Sequence, residues 1–265
     1  HHKNMKILHL VLFSNSKRKE CYEEMQKLTE QYYQKFENVK TIYYKYADIS
    51  EDYYLQDNIL IIKGEESFLP GVLDKTLKAF EYVVQNKIID QYDVVVRSNI
   101  STIINFDLLT KYFETNGIPH YAGAKVENLQ WEGGGITDHK WFGTQFACGI
   151  SIVLSTYAVR YMIMNKNNIR MDIIDDVSIA IFHKEHCPSA YPPVEIQSYM
   201  YLQCFFIPKD HGTIFNSQGL IESIKNRNIT FYRNNALFNW EDRRMDVIQM
   251  KHIIDYLDAT YHKTP

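Results

Sequence analysis

The chain has 265 residues, 45% of them hydrophobic and 23% charged, with a formal net charge of −3. This composition supports a sizeable soluble core, and its slightly acidic balance excludes broad, sequence-independent nucleic-acid binding, which needs a large positive field. The cysteines, Cys21, Cys148, Cys187 and Cys204, are far apart with no C-x-x-C pair, so neither a zinc site nor a disulfide framework is signalled.

Residues 1–4 read as a tag remnant, with Met5 as the natural start and no secretory signal after it. The expectation is therefore a cytoplasmic protein, or one at the cytoplasmic face of a membrane, and the N-glycosylation patterns at Asn99 and Asn228 are read as chance. Lys6 to Phe13 is an apolar run of strand length. Helical periodicity follows, with Cys21, Met25, Leu28, Tyr32 and Phe36 on one face. Ile42, Tyr44 and Tyr46 alternate as in a strand, and Asn58 to Ile62 predicts another. Ser67 to Pro70 opens a second helix, with Pro70 in its first turn and Leu73, Leu77, Phe80 and Val84 inward. Val94 to Val96 is a fourth strand. The order β-α-β-β-α-β with continuous apolar strands predicts an α/β domain whose mostly parallel central sheet is covered by helices on both faces. Such sheets bind ligands outside the carboxyl ends of their strands. Arg97-Ser98-Asn99 falls at such an end.

A helix is expected from about Asn105 to Thr115, and then the character changes. Lys125 to Gly143 carries three consecutive glycines and the tryptophans Trp131 and Trp141, which reads as a mobile functional loop. Cys148 to Leu154 returns to strand, and Ser155 or Thr156 caps a helix reaching about Met164. Phe146 to Val159, the longest apolar run, is too short and too interrupted to cross a bilayer. Asp175-Asp176-Val177 opens another helix; Cys204 to Pro208 and Ile229 to Arg233 are late short strands; Glu241 to Leu257 closes the chain. With no repeat and no linker, one domain spanning residues 1–265 is expected.

Three of these features stand in an informative order: a strand ending in Arg97-Ser98-Asn99, a small-residue strand from Gly149 to Ser155, and a helix opening on Asp175-Asp176-Val177. The order resembles nucleotide-sugar glycosyltransferases of the GT-A fold, the fringe-like and β-1,3-galactosyltransferase-like group in particular. There an "SGAGYVLS"-like strand precedes an "EDV" or "DDV" helix start. The stretch from Tyr92 to Thr102 is also similar to "YDYVLRTNLSS", found in some bacterial and viral sugar-transferase-like proteins. The resemblance covers Tyr92 to His183 in detail. It implies a GT-A-like (Rossmann-like) fold, a nucleoside diphosphate-sugar donor and a glycan or other hydroxyl acceptor.

The resemblance also locates the chemistry. It places the catalytic base at Asp176, with Asp175 second, because an inverting transferase needs a carboxylate to take the acceptor's proton and a helix N-terminus keeps one ionised. GT-A enzymes usually hold a divalent metal on Asp-x-Asp, where this chain has Arg97-Ser98-Asn99. A hard cation wants anionic oxygens, so manganese or magnesium is left open, with Asn99, Asp210 and His211 as candidate ligands. Arg97 is instead suited to phosphate or carboxylate, and Ser98 and Asn99 to the donor. Lys225, Arg227 and Arg233, with Arg243 and Arg244 in the same C-terminal fifth, are expected to neutralise the leaving diphosphate. These residues together imply transfer of a sugar from the donor to a hydroxyl with inversion. The alternatives are a catalytically silent module of the same fold that binds a glycan or a protein, and a hydrolase. The last is weakened by the absence of G-x-S-x-G, P-loop and H-E-x-x-H motifs.

Overall fold

A computed structural model of the chain describes residues 5–14, 19–196, 198–203, 205–210, 212–236 and 242–261. The proposed tag remnant, His211 and Cys204 lie outside the described residues. In chain order the first half runs β1 (Ile7–Leu12), α1 (Lys19–Tyr33), β2 (Val39–Ala47), β3 (Tyr53–Gln56), β4 (Ile59–Lys63), α2 (Gly71–Gln85), β5 (Val94–Asn99), β6 (Thr102–Ile104) and α3 (Phe106–Asn116). There follow β7 (Tyr121–Gly123), β8 (Val126–Asn128), β9 (Gln145–Ala147), β10 (Ser151–Ser155), α4 (Thr156–Met164) and α5 (Asp175–His186). The last part is β11 (Val194–Glu195), β12 (Tyr199–Leu202), β13 (Phe206–Lys209), β14 (Gly212–Phe215), α6 (Ser217–Ile224), β15 (Phe231–Asn234) and α7 (Arg244–Tyr261).

The centre is an eight-stranded sheet in the order β11-β7-β10-β5-β1-β2-β4-β3. β1 pairs in parallel with β2 and β5, β2 with β4, and β7 with β11, while β10 and the edge strand β3 run the other way. This is the mixed α/β class expected from the continuous apolar strands. Two cores explain those strands. Leu8, Leu10, Tyr44, Leu60 and Val95 pack under α2, α4 and α5, through Leu73, Phe80, Val159 and Val177. Ile7, Val11, Tyr43, Val94 and Val96 pack against α1, α3, α6 and α7, through Met25, Phe113, Leu220 and Ile253. A strand covered on both faces buries alternate residues to opposite cores, so Tyr43 and Tyr44 are both fully buried.

Several helix starts follow the local chemistry. Asn105 caps α3 by accepting from Leu108 N–H, and Ser155 caps α4 by accepting from Ala158 N–H at 3.0 Å. α5 is different, since its N-cap residue is Ile174 and no side chain caps it. Pro70 precedes α2 as its N-cap rather than entering its first turn.

The fourth strand differs from expectation in a way that matters. β5 does not stop at Val96 but continues through Arg97, Ser98 and Asn99. These polar residues belong to the ladder, Arg97 pairing with Ile152 and Ser98 with Ser151. In the hairpin of β3 and β4 and the small sheet β12-β15-β6, the strands β4 and β15 match the sequence expectation, whereas β3, β6 and β12 do not appear in it. Among the described residues no helix is long and apolar enough to cross a membrane.

Candidate active site

β5 sends alternate side chains to opposite faces, and its three polar residues meet three different partners. Arg97 is only 2% exposed, and its Nη1 donates to Asp175 Oδ2 at 2.6 Å, across the face covered by α5. Ser98 points to the other face, where its hydroxyl lies 2.7 Å from Nε2 of the buried His9. Burial drives the His9 pKa down to about 3, so this histidine is neutral and its bonds to Ser98 and Thr41 are structural. Asn99 stands at the end of the strand. Its Oδ1 accepts from Thr102 Oγ1 at 2.6 Å and from Ser101 Oγ at 3.3 Å. Arg97 and Ser98 therefore face packed cores rather than an open strand end, and Asn99 alone of the three lines a cavity.

That cavity, of ≈ 500 Å³, opens at the carboxyl ends of β1 and β5. One part of its wall is apolar, with Phe13, Tyr22, Phe68 and Val72. The other carries Lys75, Glu66, Ser101, Asn99, Arg233 and Arg243. The Lys75 ammonium is buried, donating to Phe13 O and to Glu66 Oε2, each at 2.7 Å. Arg243 pairs with the buried Asp246 at 2.7 Å. Arg233 donates to Ser101 Oγ and to Asn234 O, and has no carboxylate partner among the described residues. Burial, and then the charge of Arg243, lower the Arg233 pKa. Two guanidinium groups thus share one cavity, and among the described residues only that of Arg243 is paired with a carboxylate.

The five basic residues grouped by sequence are thus split by the fold. Arg233 and Arg243 line the cavity. Lys225 follows α6 and pairs with Glu222 at 2.9 Å, Arg227 donates to Ser223 O at 3.1 Å, and Arg244 binds Asp242. Lys225 and Arg227 precede β15, which carries Arg233 to the cavity, and Arg244 turns away from its neighbour Arg243 to Asp242, so nearness in sequence is not nearness in space. Asp210 occupies the exposed turn between β13 and β14 with a φ of 54°.

Asp175 and Asp176 open α5 as expected, but neither is an N-cap. Asp175, with 13% of its side chain exposed, is tied to Arg97. Asp176 accepts from Gly149 N–H through Oδ2 at 3.0 Å and from Val177 N–H through Oδ1 at 2.9 Å. Burial first, and the neighbouring Asp175 charge second, push its pKa well above the usual carboxylate range. Gly149 is the hub: a methyl placed on it would sit 3.6 Å from Asp176 Oδ2, 3.7 Å from Asp175 Oδ2 and 3.8 Å from Arg97 Nη1. Both carboxylates thus look onto one small open position. The residue after Gly149 contacts a lining residue of the cavity, Ile150 O accepting from Asn99 N–H at 3.3 Å.

The donor set does not suit a hard cation. Among the described residues no three His, Cys, Asp or Glu side chains come together. Asp175 is engaged by a guanidinium, Asp176 by backbone N–H groups and Asn99 by two hydroxyls.

Sequence reading missed Lys75, Glu66 and Phe68. A signal existed for Lys75: it lies three residues after Val72 and four before Ala79, on a helix face that is otherwise apolar or small. Gly149 reads in the sequence as part of a strand, yet it precedes β10 and its N–H donates to Asp176.

A stability prediction follows from Asp176. A carboxyl held above its ordinary value of 3.8 keeps its proton in the folded state after the unfolded chain has lost it. In that window the folded state binds more protons, so the contribution of Asp176 to stability falls as pH rises. The melting temperature of Asp176→Asn, relative to the parent, is expected to climb from pH 4 towards neutral pH. A difference that stays constant across this range would contradict the assigned shift.

No family model and no curated protein matches the chain. Among solved structures it is similar to a glycosyltransferase involved in the glycosylation of the major capsid of PBCV-1, with a TM-score of 0.46 and 11% identity, covering 93% of this chain and 98% of that one.

Proposed function

We propose that the protein transfers a sugar from a nucleoside diphosphate-sugar, held in the cavity at the ends of β1 and β5, to a hydroxyl acceptor that approaches over Gly149. The observation that carries this reading is the presence of Arg233 beside Arg243 in a cavity whose lining residue Asn99 is hydrogen-bonded to Ile150, the neighbour of Gly149. The apolar wall of Phe13, Tyr22 and Phe68 suits a nucleobase, and the guanidinium groups suit the diphosphate.

In this reading Asp176 takes the acceptor hydroxyl's proton as its oxygen bonds to the anomeric carbon. The bond from that carbon to the diphosphate breaks with its electron pair on the leaving oxygen. Arg233, Arg243 and Lys75 take up the developing charge. A raised pKa makes Asp176 a stronger base than an ordinary carboxylate. The attack and departure from opposite sides invert the anomeric centre. Arg97 holds Asp175 and adds positive charge beside the pair, rather than contacting the donor.

The silent module is kept as a second reading on one observation: both Asp176 oxygens accept backbone N–H groups, as a structural carboxylate would. A thermal-shift panel of nucleoside diphosphates and their sugars, followed by assay of nucleotide release, separates the two. The panel is run with and without manganese, because His211 lies outside the described residues. Stabilisation by a diphosphate that weakens with salt, followed by release from the intact donor, is expected. Binding without release establishes the silent module, and the absence of any shift overturns both.

A further inference from the structure

The run Gly133-Gly134-Gly135 adopts a tight turn, with Gly133 and Ile136 exchanging backbone hydrogen bonds of 3.1 and 2.9 Å. Its φ angles are 129°, 54° and 81°, the left-handed region where glycine is favoured. Loop freedom is not all that the glycines provide. Gly134 O accepts from Ile174 N–H at 2.9 Å, and Ile174 is the uncapped N-cap of α5. A methyl on Gly135 would overlap Asp172 O and stand 2.9 Å from Asp172 C and 3.1 Å from Ile173 Cα, which are backbone atoms that cannot swing aside. A methyl on Gly134 would overlap Cγ2 of Ile174. The turn is itself anchored. Ile136 is buried in the core with Ile173, and the loop's stem is closed by bonds of 2.8 Å from Leu129 N–H to Thr144 O and from Gly143 N–H to Leu129 O.

We infer that the Gly133-Gly134-Gly135 turn is a positioning element for Asp175 and Asp176, supplying by backbone contact the support for the start of α5 that a capping side chain supplies elsewhere. This rests on the reading of the two aspartates as the reacting pair. The pair then has three anchors: Arg97 of β5 on Asp175, Gly149 on Asp176, and the glycine turn on Ile174. The same loop carries Trp131 on its outer face, 39% exposed, so an acceptor lying on it would touch the element that sets the carboxylates.

The test is a carbon-13 NMR titration of the Asp175 and Asp176 carboxyls in the full chain, read beside the pH profile of sugar transfer. The charged and titratable groups facing the pair are Arg97 of β5, Tyr44 of β2, Tyr121 of β7 and Cys148 before β10. None is altered in the variants. Gly135→Ala is expected to move the Asp176 midpoint towards its ordinary value by about one pH unit or more, a tenfold change in the proton equilibrium, because the displaced helix start admits water. Gly143→Ala is the strain control: its φ is 89° but a methyl there meets nothing within 4 Å, and its titration should match the parent. If Gly135→Ala does not fold, Gly134→Ala decides, with Ile174→Ala added to relieve the overlap and restore the midpoint. A folded Gly135→Ala or Gly134→Ala with the parental Asp176 midpoint overturns the inference. So does a Gly143→Ala midpoint that moves as far. A parent protein that transfers no sugar defeats the proposed function alone, because the titration still reads the position of the pair.

Discussion

Asp176→Asn is expected to reduce sugar transfer by about a hundredfold or more at saturating donor, the usual effect of removing a general base. The substitution is nearly isosteric, but an amide has one acceptor oxygen where the carboxylate uses two, so one of the bonds from Gly149 N–H and Val177 N–H is lost. That loss costs about 1–3 kcal/mol of stability, and donor affinity should stay close to the parent's. Asp175→Asn should behave differently. It strips the carboxylate from a buried guanidinium, and breaking such a pair typically costs about 3–5 kcal/mol. It also removes the second cause of the raised Asp176 pKa. The acid limb of its transfer profile is therefore expected to move to lower pH, with the surviving enzyme still turning over. Measured transfer rates, melting curves and pH profiles of the two variants check this. If Asp176→Asn transfers sugar at close to the parent rate, the base lies elsewhere.

Arg233→Ala is expected to weaken nucleoside diphosphate binding roughly ten- to hundredfold, since a hydrogen bond to a charged group contributes about 1.5–3 kcal/mol. The free protein gives a second readout. Arg233 is crowded by Arg243, so its removal relieves repulsion and offsets the lost bonds to Ser101 and Asn234. Calorimetric titration should therefore show lost affinity while the melting temperature of the free variant stays near the parent's. A large fall in melting temperature with donor affinity intact would make Arg233 a structural tie between β15 and Ser101. Lys225→Ala and Arg227→Ala, at residues outside the cavity, are expected to leave affinity unchanged.

Much of the fold was legible because its central strands are apolar on both faces, and only a sheet covered on both sides makes sense of Lys6 to Phe13 or Val94 to Val96. Asp175-Asp176 was legible as a helix start because the polar pair precedes a buried run. What was not legible is long-range. Nothing near Arg97 in sequence tells that its partner is Asp175, 78 positions on, or that Ser98 meets His9, 89 positions back. With those partners unknown, polar residues read as the end of a strand that in fact continues. β3, β6 and β12 are only three or four residues long, below the length at which periodicity separates strand from loop. The glycine run read as freedom because a close approach to Asp172 and Ile174 leaves no trace in the glycines themselves. Lys225 and Arg227 were joined to Arg233 by sequence distance, which β15 undoes.

The placement of donor and base is tested by a structure of the protein with an intact nucleoside diphosphate-sugar, captured on Asp176→Asn. The diphosphate is expected within hydrogen-bond distance of Arg233 in the cavity at the ends of β1 and β5, with Asn99 in contact with the donor and the sugar directed towards Gly149. A donor seated away from Arg233 and Asn99, or a sugar turned away from the Asp176 side of Gly149, would contradict it.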